Sequence, residues 1–201
     1  QAVKEDLFKY YIPLLQQYKP MNICEIGTHD AKSAIQFIDA LLLFSTKKQP
    51  LFYTGYDLFE DANDQLTSYE HNGKGPGDYK LAVKRLEKRK KKYKKLFDYK
   101  LIRGNTLKTL TECAYDFVYI DGGHSYDTVK ADYKKVKDSK IIVFDDYQLP
   151  AVARAIDEIV DETKTTHEVI ELTQDDRPKR KQVGIIRWTN TRHDQLVMIK
   201  S

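Results

Sequence analysis

Short apolar runs, which favour strands, alternate along the chain with segments whose apolar residues recur at helical spacing. The apolar runs predict strands at 22–27, 52–57, 99–105, 116–121 and 140–145, with a closing pair at 167–172 and 183–188. Helices are predicted at 31–44, 79–97, 125–137 and 149–160. This alternation favours an α/β fold with a mostly parallel sheet, and the closing pair of strands favours an antiparallel edge.

Length and patterning predict one domain that spans residues 1–201. An amphipathic N-terminal helix is expected within 1–20, where Pro20 ends the helical pattern. The connection 59–78 is polar, rich in glycine and longer than most connections between a strand and a helix. We therefore expect it to form a lid or a substrate loop.

Several classes of protein are disfavoured by composition. No apolar run approaches the roughly 18 residues of a membrane span, and the first residues lack the apolar core of a signal peptide. The two cysteines, Cys24 and Cys113, belong to no CxxC motif, which argues against a zinc or redox site. Because free thiols are typical of a reducing compartment, we expect a cytoplasmic protein with no membrane partner.

The net charge of +4 is unevenly distributed. Residues 84–95 contain nine basic side chains and one acid, Glu87, so the rest of the chain carries a net charge of about −4. Such a run could bind phosphate without sequence preference, although charge runs are more often solvated helix faces. The composition as a whole does not indicate a general nucleic-acid binder.

Acidic residues follow two predicted strands at the point where each strand ends. The strand 116–121 leads into Asp121, two glycines and His124, and the next strand ends in Asp145 and Asp146. If these strands are neighbours, three carboxylates and an imidazole converge at the sheet edge where open α/β folds bind ligands. Like charges at that distance cost stability unless a cation lies among them.

Oxygen ligands of this kind suit Mg²⁺ or Mn²⁺ rather than zinc. The pattern therefore predicts a divalent metal with a histidine base beside it. The alternative is structural: Asp145 and Asp146 could be a loop acid and a helix cap, and His124 a turn residue.

The first two strands show the signs of a nucleotide site. Gly27 permits a tight turn after the first strand, and Asp57 ends the second strand, where an acid can accept hydrogen bonds from two ribose hydroxyls. Glu25 lies in an otherwise apolar strand, so its carboxylate must accept hydrogen bonds or face a cation. The G-x-G-x-x-G motif of NAD-binding folds is missing.

Four motifs at consecutive strand ends together resemble the class I S-adenosylmethionine-dependent methyltransferases. They are E-x-G followed by a serine after strand one, an acid ending strand two, G-N-T after strand three and D-F-V-Y-I-D-G-G-H at strand four. The resemblance covers about 20–188 and is nearest to the small metal-dependent O-methyltransferases of the sugar and catechol type. It implies a Rossmann-like, doubly wound, seven-stranded sheet that is mostly parallel with an antiparallel C-terminal edge pair.

The resemblance also implies roles for individual residues. The cofactor, S-adenosylmethionine, would contact Glu25, Gly27 and Ser33 through its methionine part and Asp57 through its ribose. Asn105 would lie near its adenine, and Asp121 would also bind the cofactor. Asp121, Asp145 and Asp146 would hold Mg²⁺ or Mn²⁺, and His124 would be the general base. The chain departs from the family at Ala31, where glycine is usual.

Three functions remain open at this point. The first is O-methylation of a small sugar- or diol-like substrate, with a homo-oligomer as a compatible assembly. The second is methylation of RNA, for which the basic helix at 84–95 would have to guide a nucleic acid. The third is a non-catalytic protein that binds S-adenosylmethionine. The acids and His124 favour the first, since they have no evident purpose in the third.

Overall fold

A seven-stranded sheet forms the centre of the protein. The structure is a computed structural model that describes residues 15–43, 49–62, 75–163, 167–172 and 180–186, the last two ranges by their backbone alone. The strands are β1 (Asn22–Ile26), β2 (Leu51–Asp57), β3 (Phe97–Arg103), β4 (Phe117–Ile120), β5 (Ile141–Phe144), β6 (His167–Leu172) and β7 (Arg180–Ile186).

Within the described residues, five α-helices connect or follow these strands. They are α1 (Lys32–Leu43), α2 (Tyr79–Tyr93), α3 (Thr106–Thr109), α4 (Tyr126–Val136) and α5 (Pro150–Thr163). Single turns of 3-10 helix follow β2 at Phe59–Asp61 and α2 at Lys94–Leu96. Among the described helices, none combines the length and apolarity that crossing a membrane requires.

The strand order places a ligand crevice beside β1. The order is β3-β2-β1-β4-β5-β7-β6, with β1 to β5 parallel and β7 antiparallel to both of its neighbours. The chain moves outward from β1 through β2 to β3 and then returns to β4 on the other side of β1. Ligands of such sheets bind at this reversal, outside the carboxyl ends of the strands. The predicted parallel α/β architecture is confirmed.

Each face of the sheet packs against its own layer of helices. Every residue of β4 and β5 is buried, which is why these strands have apolar sequences without a polar alternation. Side chains such as Ile23 and Tyr119 pack against α1 and α2, whereas Cys24 and Ile120 pack on the opposite face with α4 and α5. Successive residues of a strand therefore belong to different cores.

The basic helix ends earlier than its sequence suggests. Asp78 caps its N-terminus as expected, because the Asp78 carboxylate accepts a hydrogen bond from the backbone N–H of Leu81 at 2.8 Å. The last residue of α2 is Tyr93, and Lys94 has a left-handed φ of 52°. β3 begins at the buried Phe97, two residues before the predicted start, since Phe97 pairs with Leu51 at the start of β2.

Part of the basic run holds α2 against its neighbours. Arg85 forms an ion pair with Asp30 at 2.7 Å, and Arg89 forms one with Asp39 at 2.8 Å. These contacts connect α2 to α1 and to the turn before it. The exposed basic residues of the run are Lys84, Lys88, Lys91, Lys92, Lys94 and Lys95. The solvated-face interpretation therefore holds for these six lysines but not for the two arginines.

Two predicted segments extend beyond the described residues. Of the N-terminal helix predicted within 1–20, only 15–20 are described, and Leu15 is buried in the core. Of the connection 59–78, residues 63–74 lie outside the described part. The described ends of that connection border the crevice considered below.

The ion pairs of Asp30 should make part of the stability depend on pH. Burial alone would raise the pKa of Asp30, but hydrogen bonds and charges from Arg85 and Lys32 lower it from 3.8 to about 2. A pKa that is depressed in the folded state contributes stability that is complete above about pH 4 and is lost as the pH falls towards 2. We expect Asp30→Asn to reduce the free energy of unfolding by about 2 kcal/mol at pH 7.

Urea unfolding of the wild type and Asp30→Asn between pH 7 and pH 3 measures this difference, which should shrink below pH 4. Asp98→Asn is a matched control, because Asp98 pairs with Lys90 on the exposed surface and should change little. A difference between wild type and Asp30→Asn that stays constant over this range would contradict the assignment.

Candidate active site

A cleft with about 970 Å³ of empty space, including its open mouth, lies at the carboxyl ends of the first four strands. Four of the predicted cofactor residues border it: Gly27 after β1, Asp57 at the end of β2, Asn105 before α3 and Asp121 after β4. The structure thus brings together residues that lie far apart in the sequence.

The turns after β1 and β4 touch each other at Gly27. Its φ is 92°, in the region that glycine adopts without strain, and its N–H donates to the carbonyl oxygen of Tyr56 at 2.8 Å. A Cβ built on Gly27 would lie 1.9 Å from the carbonyl oxygen of Asp121. Only glycine therefore allows these two turns to approach so closely.

Asp57 connects two segments that border the cleft. Its carboxylate accepts a hydrogen bond from the backbone N–H of His29 at 2.7 Å and another from the backbone N–H of Phe59 at 2.5 Å. The turn after β1 and the segment after β2 are thereby tied to one side chain. Each carboxylate oxygen retains acceptor capacity for a ligand hydroxyl.

Glu25 and Ser33 are not among the residues that border the cleft, and their contact with the cofactor stays a prediction. The alternation of β1 turns Glu25 into the core, where it is 1% exposed and accepts a hydrogen bond from the Tyr53 hydroxyl at 2.6 Å. The Tyr53 hydroxyl also lies 3.2 Å from the Thr28 hydroxyl. Glu25 is therefore linked through Tyr53 to Thr28 and supports the turn after β1 from the core side. Ser33 is buried in the first turn of α1.

Burial raises the pKa of Tyr53 well above its usual value, and the adjacent Glu25 raises it further. Tyr53 thus remains a neutral donor to Glu25. Its hydroxyl satisfies a carboxylate that would otherwise be costly in an apolar core. Sequence reasoning missed this partner because Tyr53 resembles any other aromatic residue of a buried strand.

Ala31, the departure from the family pattern, has a φ of 60° and is fully buried. Glycine is usual where a chain takes this left-handed conformation, since other residues are strained by about 1 kcal/mol or more. A backbone hydrogen bond from Ala31 to Thr28 at 2.8 Å closes the turn.

Asn105 is both a cleft residue and a helix cap. Its side-chain oxygen accepts a hydrogen bond from the backbone N–H of Leu107 at 2.9 Å, which starts α3. Gly104 before it has a φ of 132°, so the chain turns sharply as it leaves β3. The turn sets the start of α3 against the cleft.

An acid–histidine cluster, formed by Asp121, His124 and Asp146, lies next to the cleft. One ligand-type atom from each residue lies within 4.8 Å of the others. The Nε2 of His124 is 3.0 Å from a carboxylate oxygen of Asp146, and both side chains are largely shielded from solvent. Asp121 belongs to the cluster and to the cleft, so the two features are continuous.

Asp145, predicted to hold the metal with Asp121 and Asp146, borders one small pocket together with both of them and His124. Its carboxylate is 3% exposed and accepts a hydrogen bond from the Tyr119 hydroxyl at 2.7 Å and one from the backbone N–H of Asp146 at 2.8 Å. Asp145 continues the alternation of β5 and so points to the same face as Val143. Asp146 has a left-handed φ of 57°, which turns the chain and brings its carboxylate to His124.

The sequence model of a family described as a methyltransferase domain matches residues 24–147, more than half of the chain. The chain belongs to this family of methyltransferase domains. The predicted resemblance to methyltransferases is confirmed, and the matched segment contains the cleft and the acid–histidine cluster. No curated protein sequence is significantly similar to this methyltransferase.

Solved structures share the fold of this methyltransferase. An O-methyltransferase from Bacillus cereus in complex with SAH has 15% identity and a TM-score of 0.63, over 93% of this chain and 84% of the other. The calicheamicin methyltransferase CalS11 has 16% identity and a TM-score of 0.62, over 92% and 79%. The methyltransferase domain of bacterial CtHen1 has 9% identity and a TM-score of 0.56, over 91% and 98%.

The contact between the two turns can be tested with two glycines that both border the cleft. Gly27→Ala should destabilise the protein by about 2 kcal/mol or more and weaken cofactor binding at least about tenfold, because its methyl group would overlap the Asp121 carbonyl. Gly75→Ala is the control, since a Cβ at Gly75 would meet no atom within 4 Å. Urea unfolding and calorimetry measure both effects, and similar behaviour of the two variants would contradict this account.

Proposed function

We propose that this methyltransferase transfers the methyl group of S-adenosylmethionine to a hydroxyl oxygen of a small sugar- or diol-like substrate, with a divalent metal and a histidine base. The observation that carries the proposal is the dual position of Asp121 in the cleft and in the acid–histidine cluster. A cofactor in the cleft would present its methyl group towards the cluster. The solved relatives include enzymes described as O-methyltransferases in complex with SAH and with SAM.

The cleft suits the nucleoside part of S-adenosylmethionine. Asp57 would accept hydrogen bonds from the ribose hydroxyls, and each such charge-assisted bond contributes roughly 1.5–3 kcal/mol. Gly27 lets the backbone come close to the ligand, and Asn105 lies where the adenine would bind. Glu25 and Ser33 would act indirectly, through the shape of the turn after β1.

The cluster has the chemistry of a divalent metal site. The carboxylates of Asp121 and Asp146, with ligand atoms this close together, would repel each other less with a cation between them. Asp121 and Asp146 would hold Mg²⁺ or Mn²⁺, with His124 at its side. A bound ion of this kind lowers the pKa of a substrate hydroxyl and can orient two neighbouring oxygens. Asp145 would support Asp146 from the core.

His124 would accept the proton of the substrate hydroxyl. The Asp146 carboxylate, 3.0 Å from Nε2 of His124, would stabilise the imidazolium as it forms. The deprotonated oxygen would then attack the methyl group in line, and S-adenosylhomocysteine would leave. The described ends of the connection 59–78 border the cleft, which supports a lid or substrate loop over this reaction.

RNA remains a second candidate substrate because of one surface feature. Four exposed lysines, Lys80, Lys84, Lys88 and Lys91, follow one another at helical spacing along α2, which begins beside the cleft. This stripe could contact phosphates. RNA binding that weakens steeply with salt, and that is lost when the lysines are changed to glutamine, would favour this substrate class.

We also propose a cytoplasmic location. Cys24 and Cys113 are free thiols, and free thiols are typical of a reducing compartment.

The metal and base roles can be separated by binding and activity measurements. We expect S-adenosylhomocysteine to bind the wild type, and Mn²⁺ to bind with an affinity that Asp121→Asn lowers at least about tenfold. His124→Gln should lower methyl transfer to a panel of catechols and sugars by about a hundredfold or more, while cofactor affinity stays within about threefold.

Calorimetry and the release of S-adenosylhomocysteine are the two readouts. Asp138→Asn is the control, because Asp138 is exposed beyond the end of α4. Turnover that persists in a chelator and in His124→Gln would refute the metal and base roles. Absence of any binding of S-adenosylhomocysteine would refute the cofactor.

A further inference from the structure

The side chain of Gln148, two residues after Asp146, reaches back to the acid–histidine cluster. Its Nε2 donates a hydrogen bond to Oδ1 of Asp146 at 2.7 Å. The other carboxylate oxygen, Oδ2, lies 3.0 Å from Nε2 of His124. We propose that Gln148 is a positioning residue that makes Asp146 bind a divalent ion through Oδ2 alone, so that the site selects Mg²⁺ over Ca²⁺. This inference rests on the metal site of the proposed function.

The chemistry of the two side chains fixes which end of the Gln148 amide faces Asp146. A carboxylate only accepts hydrogen bonds, and of the two polar ends of a glutamine amide only the NH₂ group donates. A hydrogen bond to an ionised acceptor is also stronger than one between neutral groups. Gln148 and His124 thus contact different oxygens of one carboxylate, which opposes rotation of that carboxylate about its Cβ–Cγ bond.

The chain on both sides of Gln148 is held in place. The backbone N–H of Leu149 donates to the carbonyl oxygen of Asp146 at 2.9 Å, which closes the turn that contains Gln148. Leu149 also packs against the core on the face of α4 and α5, and the Tyr147 hydroxyl donates to the Asp157 carboxylate of α5 at 2.7 Å. The amide is therefore presented to Asp146 by a turn that is anchored before and after it. A donor that is already in place orients a ligand without the entropic cost of ordering its own loop.

Gln148 acts on the site through Asp146. It is not among the described residues that border the small pocket at Asp121, His124 and Asp146. Its amide would therefore orient a metal ligand rather than bind the ion itself. Loss of a hydrogen-bond partner behind a metal ligand typically lowers metal affinity by roughly 10- to 100-fold.

The number of oxygens that Asp146 offers affects which ion fits the site. Ca²⁺ takes roughly six to eight oxygen ligands and accepts a carboxylate through one or both oxygens, whereas Mg²⁺ requires a near-ideal octahedron with shorter bonds. For both oxygens of Asp146 to face one ion, the carboxylate would have to turn, and Oδ1 would lose its hydrogen bond to Gln148. The hydrogen bond therefore disfavours the bidentate binding that suits the larger ion. Its loss should benefit Ca²⁺ more than Mg²⁺.

The test measures the preference between the two ions by calorimetry, as the displacement of Mn²⁺ from the protein by Mg²⁺ and, in a separate titration, by Ca²⁺. Gln148→Met keeps the length of the side chain and removes its donor. We expect this variant to shift the ratio of Mg²⁺ to Ca²⁺ affinity towards Ca²⁺ by about tenfold or more. Tyr147→Phe is the matched control, because it removes the neighbouring hydrogen bond of the same turn, to Asp157. It should leave the ratio within about twofold of the wild type.

The ratio of two affinities within one variant separates this role from general damage to the site, which would weaken the binding of both ions alike. If Gln148→Met fails to fold, Gln148→Ala replaces it and should shift the ratio in the same direction. A Gln148 variant that binds Mn²⁺ and keeps the wild-type ratio would overturn the inference and leave the metal site standing. If Mn²⁺ does not bind the wild type, the metal site of the proposed function fails, and this inference fails with it.

Discussion

The contact between the turn after β1 and the turn after β4 is the constraint on which the rest of the site depends. With no side chain at Gly27, the backbone can pass so close to the Asp121 carbonyl that even a methyl group would overlap it. This approach closes the inner end of the cleft and sets the position of Asp121. The cleft and the acid–histidine cluster are therefore parts of one arrangement of neighbouring strand ends.

Strand alternation decides which carboxylates face a ligand and which support the structure. Glu25 and Asp145 point into the core, and each accepts a hydrogen bond from a buried tyrosine hydroxyl, Tyr53 and Tyr119 respectively. Asp146 does not follow the alternation of β5, because its left-handed φ turns the chain after the strand. Buried acids that are each paired with a donor can stabilise a site without touching the ligand.

The strand ends were predictable from the sequence because apolar runs that stop in acids and glycines are typical of buried parallel strands at a ligand-binding edge. Gly27, Asp57 and Asp121 were found in this way, whereas Asn105 was implied only by the resemblance to methyltransferases. The direction of a side chain was less predictable, since it depends on pairing partners such as Tyr53 that carry no sequence signature.

The most direct test of the central claim is a crystal structure with S-adenosylhomocysteine and Mn²⁺, in which anomalous scattering locates the ion. The account predicts one ion within about 2.5 Å of carboxylate oxygens of both Asp121 and Asp146, beside a nucleoside in the cleft. An ion held by Asp145 without Asp146, or a nucleoside bound away from Gly27, would contradict it.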